Sequence, residues 1–108
     1  MLYRLTVDAF QALAEPHRRK VVELLARSGE LSASEICEEF DVTPQAVSQH
    51  LRVLREASVI QMEKRAQRRI YRFNPRSTSQ VQSWLTDMTK LWNRRLDRLD
   101  RALKEDTE

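Results

Sequence analysis

Residues 43–57, TPQAVSQHLRVLREA, constrain the fold and function of this chain more than any other segment. Thr43 predicts a helix start because its side-chain oxygen can accept a hydrogen bond from a free N–H of the first turn. Pro44 fits the next position, where the missing N–H has no cost. At about 100° per residue, one side of this helix collects the apolar residues and one histidine. These residues are Ala46, Val47, His50, Leu51, Val53, Leu54 and Ala57.

The other side of this helix collects hydrogen-bonding groups. Its residues are Gln45, Ser48, Gln49, Arg52, Arg55 and Glu56. Amide, hydroxyl and guanidinium groups with a single carboxylate are unusual for a face that contacts only water. Such groups can hydrogen-bond to base edges and phosphates in a major groove. The segment is therefore predicted to be a DNA recognition helix, with an ordinary amphipathic helix as the alternative.

Composition narrows the class of protein. The 108 residues suffice for one domain with a modest core, so residues 1–108 are treated as a single domain. One glycine leaves no phosphate-binding loop, and one cysteine excludes an internal disulfide or a four-cysteine zinc site. No Cys–His or Ser–His–Asp set is suitably placed, so no catalytic residue and no enzyme activity are expected. No membrane span or secretion signal is recognised, which predicts a cytoplasmic protein without membrane partners.

Positive charge is concentrated in one part of the chain. Residues 44–76 contain eight basic and two acidic side chains, a local charge of +6 in a chain whose formal net charge is +3. A basic block beside a recognition helix is typical of a protein that binds a polyanion. The alternative is a charged hairpin that contacts only water.

Two helices are predicted before the basic block. Residues 2–13 have apolar side chains at helical spacing, and Pro16 begins a second helix that Gly29 ends. Residues 17–20 make the first turn of this second helix basic, which opposes the helix dipole. Either a bound phosphate or simple solvation would accommodate these charges.

A third short helix and a hairpin complete the predicted domain. Ser32 and Glu35 have the spacing of a capping box and predict a helix that ends at Phe40, so residues 32–57 form a helix-turn-helix. Residues 59–62 and 69–73 are predicted strands joined by residues 63–68, and they should pack on the helices as a wing. A second capping box, Ser77 with Gln80, predicts the start of the last helix.

The last helix carries an apolar stripe too long for a small domain to cover. Its members are Val81, Leu85, Met88, Trp92, Leu96, Leu99 and Leu103, widened by Trp84 and Leu91. We expect a second copy of the chain to cover this stripe. Folding back on its own domain and a tryptophan pocket for a small ligand are the alternatives. The predicted dimer contacts are Leu2, Leu5, Phe10, Leu85, Met88, Trp92, Leu96 and Leu99.

The predicted fold is therefore mainly α with a small two-stranded β-wing, in the order α-α-α-α-β-β-α. Two sets of side chains are assigned to double-stranded DNA. The recognition helix contributes Thr43, Gln45, Ser48, Gln49 and Arg52, whose amide and guanidinium groups suit base edges. The wing contributes Lys64, Arg65, Arg68 and Arg69, for which phosphate contacts are the simpler expectation.

Residues 29–60, GELSASEICEEFDVTPQAVSQHLRVLREASVI, resemble the ArsR/SmtB family of winged-helix bacterial repressors. The resemblance rests on the motifs Ser48-x-His50-Leu51, Leu54-Arg55-Glu56 and Val59-Ile60. The upstream Glu15-Pro16-x-Arg18-Arg19 and the wing end at residues 71–75 extend it over nearly the whole chain. It implies a homodimer that occupies an operator, usually its own promoter, until a signal releases it. A winged helix used for protein contacts and a MarR-like regulator are the competing interpretations.

Several positions depart from the pattern of the metal sensors in this family. Ser32 and Ser34 stand where arsenic and cadmium sensors have a Cys-x-Cys pair, and the last helix has no histidine. Cys37 is expected inside as a small buried thiol, with a redox role as a less favoured alternative. Trp84, Trp92 and residues 95–99, RLDRL, are similar to a branch that lacks metal ligands. The resemblance thus implies no metal site and no cofactor, and it names neither the inducer, the operator nor the regulated genes. Ser58 and Ala66 replace the family's usual glycines after the recognition helix and in the wing.

Overall fold

The computed structural model describes residues 8–106, which fall into two compact units that divide after Thr78. The elements of the first unit are α1 (Ala9–Leu13), α2 (Pro16–Ser28), β1 (Glu30–Ser32), α3 (Ala33–Glu38), α4 (Pro44–Glu56), β2 (Ile60–Arg65), β3 (Arg68–Phe73) and a 3-10 turn (Pro75–Thr78). The second unit is the single long helix α5 (Ser79–Asp106). The predicted α2, α3 and α4 are confirmed, although α3 ends two residues before Phe40. The predicted helix over residues 2–13 is corrected, because Asp8 has an extended backbone and caps a helix that begins at Ala9.

Local capping explains where these helices begin and end. The Thr43 hydroxyl accepts a hydrogen bond from the Ala46 N–H at 3.1 Å, and Pro44 follows as the first helical residue. Ser32 and Glu35 form the predicted capping box of α3. Gly29 closes α2 with a φ of 84°, which a glycine adopts without strain. A further capping box, from Asp8 to Gln11, begins α1. Residues 2–7 of the predicted first helix lie outside the described residues.

The basic first turn of α2 binds backbone carbonyls. Arg18 Nε donates to Ala12 O at 2.7 Å, and Arg19 Nη1 donates to Leu13 O at 2.8 Å. Both acceptors lie in the last turn of α1, where carbonyls have no partner within the helix. Lys20 Nζ donates to Glu39 O at 2.6 Å. These cations therefore fix the neighbouring helices, and a bound phosphate is not needed to explain them.

The sheet has three antiparallel strands in the order β1-β3-β2, so the predicted two-stranded wing is corrected. The missing strand, β1, pairs Leu31 with Tyr71 in β3. It was not predicted because three residues are too few to show an alternating pattern. Pairing of β2 with β3 also continues to Arg65 opposite Arg68, which leaves a shorter link than the six residues expected.

Two turns keep a left-handed backbone without glycine. Ser58 has a φ of 60° and Ala66 a φ of 54°, at the two positions where the resemblance led us to expect glycine. Asn74 Nδ2 donates to Ser58 O at 2.9 Å, which fixes the turn between α4 and the wing. The turn geometry is thus retained although the residue types differ.

The prediction that Ser77 and Gln80 form a capping box at the start of the last helix is wrong. Ser77 Oγ donates to Asn74 O at 2.7 Å, and residues 75–78 form a 3-10 turn. Because Ser77 lies within this turn, it does not have the position of a cap residue, and α5 begins later, at Ser79.

The core of the first unit fixes the rotation of α4. Its fully buried large side chains are Val21, Leu25, Ile36, Val47, Leu54, Val59 and Ile60. They come from α2, α3, α4 and the start of the wing. Since burying each large side chain stabilises the fold by roughly 1.5–3 kcal/mol, a rotation of α4 that exposed its apolar side would be costly.

Helix α5 differs from the first unit in that none of its described residues is buried. Its large apolar side chains are between 39% and 59% exposed. They are Trp84, Leu85, Met88, Leu91, Trp92, Leu96, Leu99 and Leu103. Within residues 8–106, no helix combines the length and apolar character needed to cross a bilayer.

Candidate nucleic-acid interface

The polar side of α4 lies on the protein surface, as the helical periodicity predicted. All six residues assigned to that side are exposed, whereas Val47, Leu51 and Leu54 are buried. The two sides follow from the same 3.6-residue period, so anchoring one in the core presents the other to solvent. The helix therefore offers a continuous polar surface three turns long.

Most of the candidate base-contacting groups on α4 have no other role in the described chain. Within residues 8–106, no side-chain hydrogen bond involves Gln45, Ser48 or Gln49. Arg52 Nε lies 3.3 Å from Glu56 Oε1, an exposed pair one helical turn apart. Such pairs contribute little and are easily exchanged for another acceptor. These side chains line a shallow depression with Pro44. The hydroxyl oxygen of Thr43, by contrast, already accepts the capping hydrogen bond.

The four wing cations lie as two cross-strand pairs of like charge. Lys64 is directly opposite Arg69, and Arg65 is directly opposite Arg68. Because side chains alternate along a strand, the two pairs belong to opposite faces of the hairpin. Like charges directly opposite each other are destabilising unless an anion lies nearby. A nearby anion would therefore relieve this repulsion on either face of the wing.

Carboxylates of the first unit neutralise one of these pairs. Arg65 forms a bidentate contact with Glu30, at 2.8 and 2.9 Å, and a third contact with Glu63 at 3.0 Å. Arg68 Nη2 lies 3.2 Å from Glu35 Oε1. The Arg65 guanidinium holds the pKa of Glu30 below its ordinary value, and the carboxylates of Glu30 and Glu63 raise the pKa of Arg65. Both guanidinium groups of this cross-strand pair are thus committed within the protein.

The other pair has no such compensation. Lys64 and Arg69 are exposed, and within residues 8–106 their side chains make no hydrogen bond or ion pair. The sequence had assigned all four wing cations equally to phosphate. The structure separates them into a neutralised face and a face that retains two uncompensated charges. The sequence analysis assigned no wing contact to Glu30, which no motif marks, or to Glu35, which was predicted only as part of a capping box; both contacts depend on tertiary structure.

A second polar cluster lies on the inner side of α4, where His50 meets the start of α2. Glu15 Oε1 lies 2.8 Å from His17 Nδ1, and Glu15 Oε2 lies 3.7 Å from His50 Nδ1. The two imidazole rings are stacked, with centroids 5.4 Å apart. Arg18 Nη1 lies 3.5 Å from His50 Nδ1.

This environment lowers the pKa of Glu15 and of His50. Burial lowers the pKa of His50, and the nearby Arg18 and His17 lower it further while Glu15 opposes them. The hydrogen bond with His17 lowers the pKa of Glu15. From the sequence, no converging ligands and no metal site were expected. In the structure two imidazoles and a carboxylate converge, with Glu15 and His17 at the start of α2 and His50 in α4.

The remaining predicted residues are distributed as follows. Cys37 is half-buried and its thiol is free. Phe10 is half-buried in α1, while Leu85, Met88, Trp92, Leu96 and Leu99 lie exposed along α5. Leu2 and Leu5 lie outside the described residues.

Comparison with known proteins supports this interpretation of α4. A helix-turn-helix domain family matches residues 13–63. The HTH-type transcriptional regulator Rv2034 of Mycobacterium tuberculosis is 37% identical over 94 residues, or 87% of this chain and 84% of that protein. The transcriptional repressor SdpR of Bacillus subtilis is 31% identical over 78 residues, or 72% of this chain and 86% of that protein. A solved structure of an ArsR family transcriptional regulator superposes with a TM-score of 0.72 at 31% identity, covering 78% of this chain and 86% of that one.

Proposed function

We propose that this chain acts as a homodimer on an operator in its own promoter. It belongs to the ArsR family of winged helix-turn-helix regulators and is a DNA-binding transcriptional repressor. The observation that carries the proposal is the uncommitted hydrogen-bonding face of α4. It lies next to the wing in the chain, and one face of the wing retains two uncompensated cations. The family excludes the MarR-like alternative.

In the proposed complex, α4 enters the major groove and the wing contacts the flanking backbone. Gln45 and Gln49 suit adenine and Arg52 suits guanine, each through two hydrogen bonds. Lys64 and Arg69 contact phosphates, where their charges release counterions. Thr43 lies at the start of α4, so its hydroxyl can still donate to a phosphate while its oxygen caps the helix.

The proposed dimer is built from α5 and the N-terminal segment of residues 2–13. Eight large apolar side chains of α5 are at least 39% exposed, and they recur every three or four residues along the helix. A stripe of this length is typical of a helix that is covered by another copy. Dimerisation would hold two recognition helices at half-sites about one helical turn, or 34–36 Å, apart.

The dimer is tested by sedimentation at micromolar concentration, which should give twice the chain mass of 12.8 kDa. The double variant Leu96→Glu/Leu99→Glu should sediment as a monomer and lose operator binding, because two charges would be buried in the interface. Ser83→Glu/Thr86→Glu is the matched control. It adds the same charge on the opposite side of α5 and should remain a dimer. A wild-type monomer, or a monomeric control, would contradict this interface.

Operator binding is tested by a gel shift with the protein's own promoter region against random DNA of equal length. Specific retention of the promoter fragment supports the proposal. If neither fragment is retained at low salt, α4 does not read DNA and a protein-contact role takes its place.

A further inference from the structure

We propose that Glu15, His17 and His50 form a binding site for a divalent transition-metal ion, with Zn²⁺ the best match, between the start of α2 and the inner side of α4. The site is separate from the surface assigned to DNA. It is also separate from Ser32 and Ser34 and from the last helix, the places where the family resemblance directed attention to metal ligands.

The geometry of the three side chains carries the proposal. One potential ligand atom from each residue lies within 4.8 Å of the other two. In a tetrahedral zinc site the metal–ligand bonds are about 2.0–2.2 Å, so ligand atoms lie about 3.4 Å apart. The distance from Glu15 Oε1 to His17 Nδ1, 2.8 Å, is already shorter than this. The distance from Glu15 Oε2 to His50 Nδ1, 3.7 Å, is slightly longer. The three side chains are thus close enough to share one ion once the imidazole rings turn out of their stacked arrangement.

The chemistry of the donors selects the type of ion. Two imidazole nitrogens and one carboxylate oxygen are ligands that Zn²⁺ accepts, with water in the fourth position. Imidazole also suits Cu²⁺ and Ni²⁺, whereas Mg²⁺ and Ca²⁺ prefer oxygen ligands. The His17 side chain is 45% exposed and that of Glu15 is 30% exposed, which gives the ion a route from solvent.

One charge opposes the ion. The Arg18 guanidinium lies 3.5 Å from His50 Nδ1, but two other hydrogen bonds, to the carbonyls of Ala12 and Gln11, hold this side chain. The Glu15 carboxylate supplies the compensating negative charge. We therefore expect a weaker site than one made only of cysteine and histidine ligands, and one selective for ions that favour nitrogen.

The consequence is a link between two helices. His17 belongs to the first turn of α2, and His50 follows Gln49 in α4. An ion bound to both histidines exists only when these helices are packed as in the folded state. By mass action it should therefore stabilise the fold.

The proposal is tested with tag-free, full-length protein titrated with Zn²⁺ in competition with a chromophoric chelator. We expect one zinc ion per chain, and a loss of affinity of at least about tenfold in His17→Ala. His17 is exposed, so this variant should fold, which circular dichroism would check. Cys37→Ser is the matched control and should bind zinc as the wild type does. Zinc should also raise the thermal midpoint of the wild type but not that of His17→Ala.

Three outcomes would overturn the site. Zinc that does not bind stoichiometrically at micromolar concentration excludes it outright. Equal affinity in His17→Ala, with the fold intact, places the ion elsewhere. Loss of binding in Cys37→Ser assigns the ion to the thiol. The variant His50→Gln is a second test of the site. If it remains folded, its zinc affinity should also be lost. The readout is metal binding, so failure here leaves the proposed operator binding untouched.

Discussion

The recognition helix and the wing both present basic and polar side chains to solvent, but they differ in how many of those groups are available to a partner. On α4, the core anchors the apolar side and leaves the opposite side uncommitted except for the weak Arg52–Glu56 pair. In the wing, Arg65 and Arg68 are held by carboxylates of the same chain. The number of cations in a segment therefore overstates its capacity to bind DNA.

The reason for the difference lies in the register of the wing. Hairpin pairing places Lys64 opposite Arg69 and Arg65 opposite Arg68, so each face of the wing has a local excess of positive charge. One face meets Glu30 and Glu35 from β1 and the first turn of α3. The other face has no such neighbours among the described residues. This asymmetry assigns separate roles to cations that are adjacent in the sequence.

The largest effect is expected on α4. Gln49→Ala or Arg52→Ala should cost roughly 1–3 kcal/mol of binding free energy on the operator and little on random DNA, because each removes a base contact. Competition gel shifts with both DNAs measure the two losses. Arg27→Ala, which removes an exposed cation from the end of α2, is the control and should change neither. Equal losses on both DNAs would mean that α4 contacts phosphates instead.

A smaller and less selective effect is expected from the uncompensated face of the wing. Lys64→Ala or Arg69→Ala should weaken operator and random DNA about equally, since a phosphate contact carries no base information. Each should also reduce the slope of log K against log salt by about one unit per contact removed. Fluorescence anisotropy across a salt series measures both quantities. A loss confined to the operator would show that the wing reads bases in the minor groove.

The neutralised face should respond less than the uncompensated one. Arg65→Ala or Arg68→Ala removes a charge that a carboxylate already offsets, so each should weaken DNA binding less than Lys64→Ala does. From the sequence alone, all four wing cations were assigned to phosphate contacts without any distinction between them. The same anisotropy series ranks the four variants, and an Arg65 variant as weak as the Lys64 variant would show that DNA displaces Glu30.

The arrangement of α4 could be predicted from the sequence because its signals are local. Three turns of a 3.6-residue period, a Thr43 cap and Pro44 at the first position agree, and every residue lies on the predicted side. The third strand could not be predicted, since Glu30–Ser32 becomes a strand only through its pairing with β3. A similar limit applied at Ser77, which was expected to cap a helix but lies within the 3-10 turn of residues 75–78.

The electrostatics of the site depend on contacts that no local pattern contains. Glu30 and Arg65 are 35 residues apart, and Arg18 and His50 are 32 apart. Charge counting placed a net positive charge in the correct segment but could not say which cations have internal partners. The same limit hid the meeting of Glu15, His17 and His50, because each was interpreted within its own helix.

The smallest effect, and the only gain, is expected at Glu30. Glu30→Gln keeps the shape of the side chain but removes the charge that offsets Arg65, so binding to operator and to random DNA should both strengthen modestly. Arg65 holds the pKa of Glu30 below its ordinary value, so the carboxylate stays ionised at neutral pH. The substitution therefore tests its charge under the conditions of the binding assay. In the double variant Glu30→Gln/Arg65→Ala the gain should disappear, because Arg65 is the group that was released. If the gain persists without Arg65, either Glu30 repels DNA directly or the released cation is Arg72, whose Nη1 lies 3.7 Å from Glu30 Oε1, and the Arg65 pair does not govern the wing.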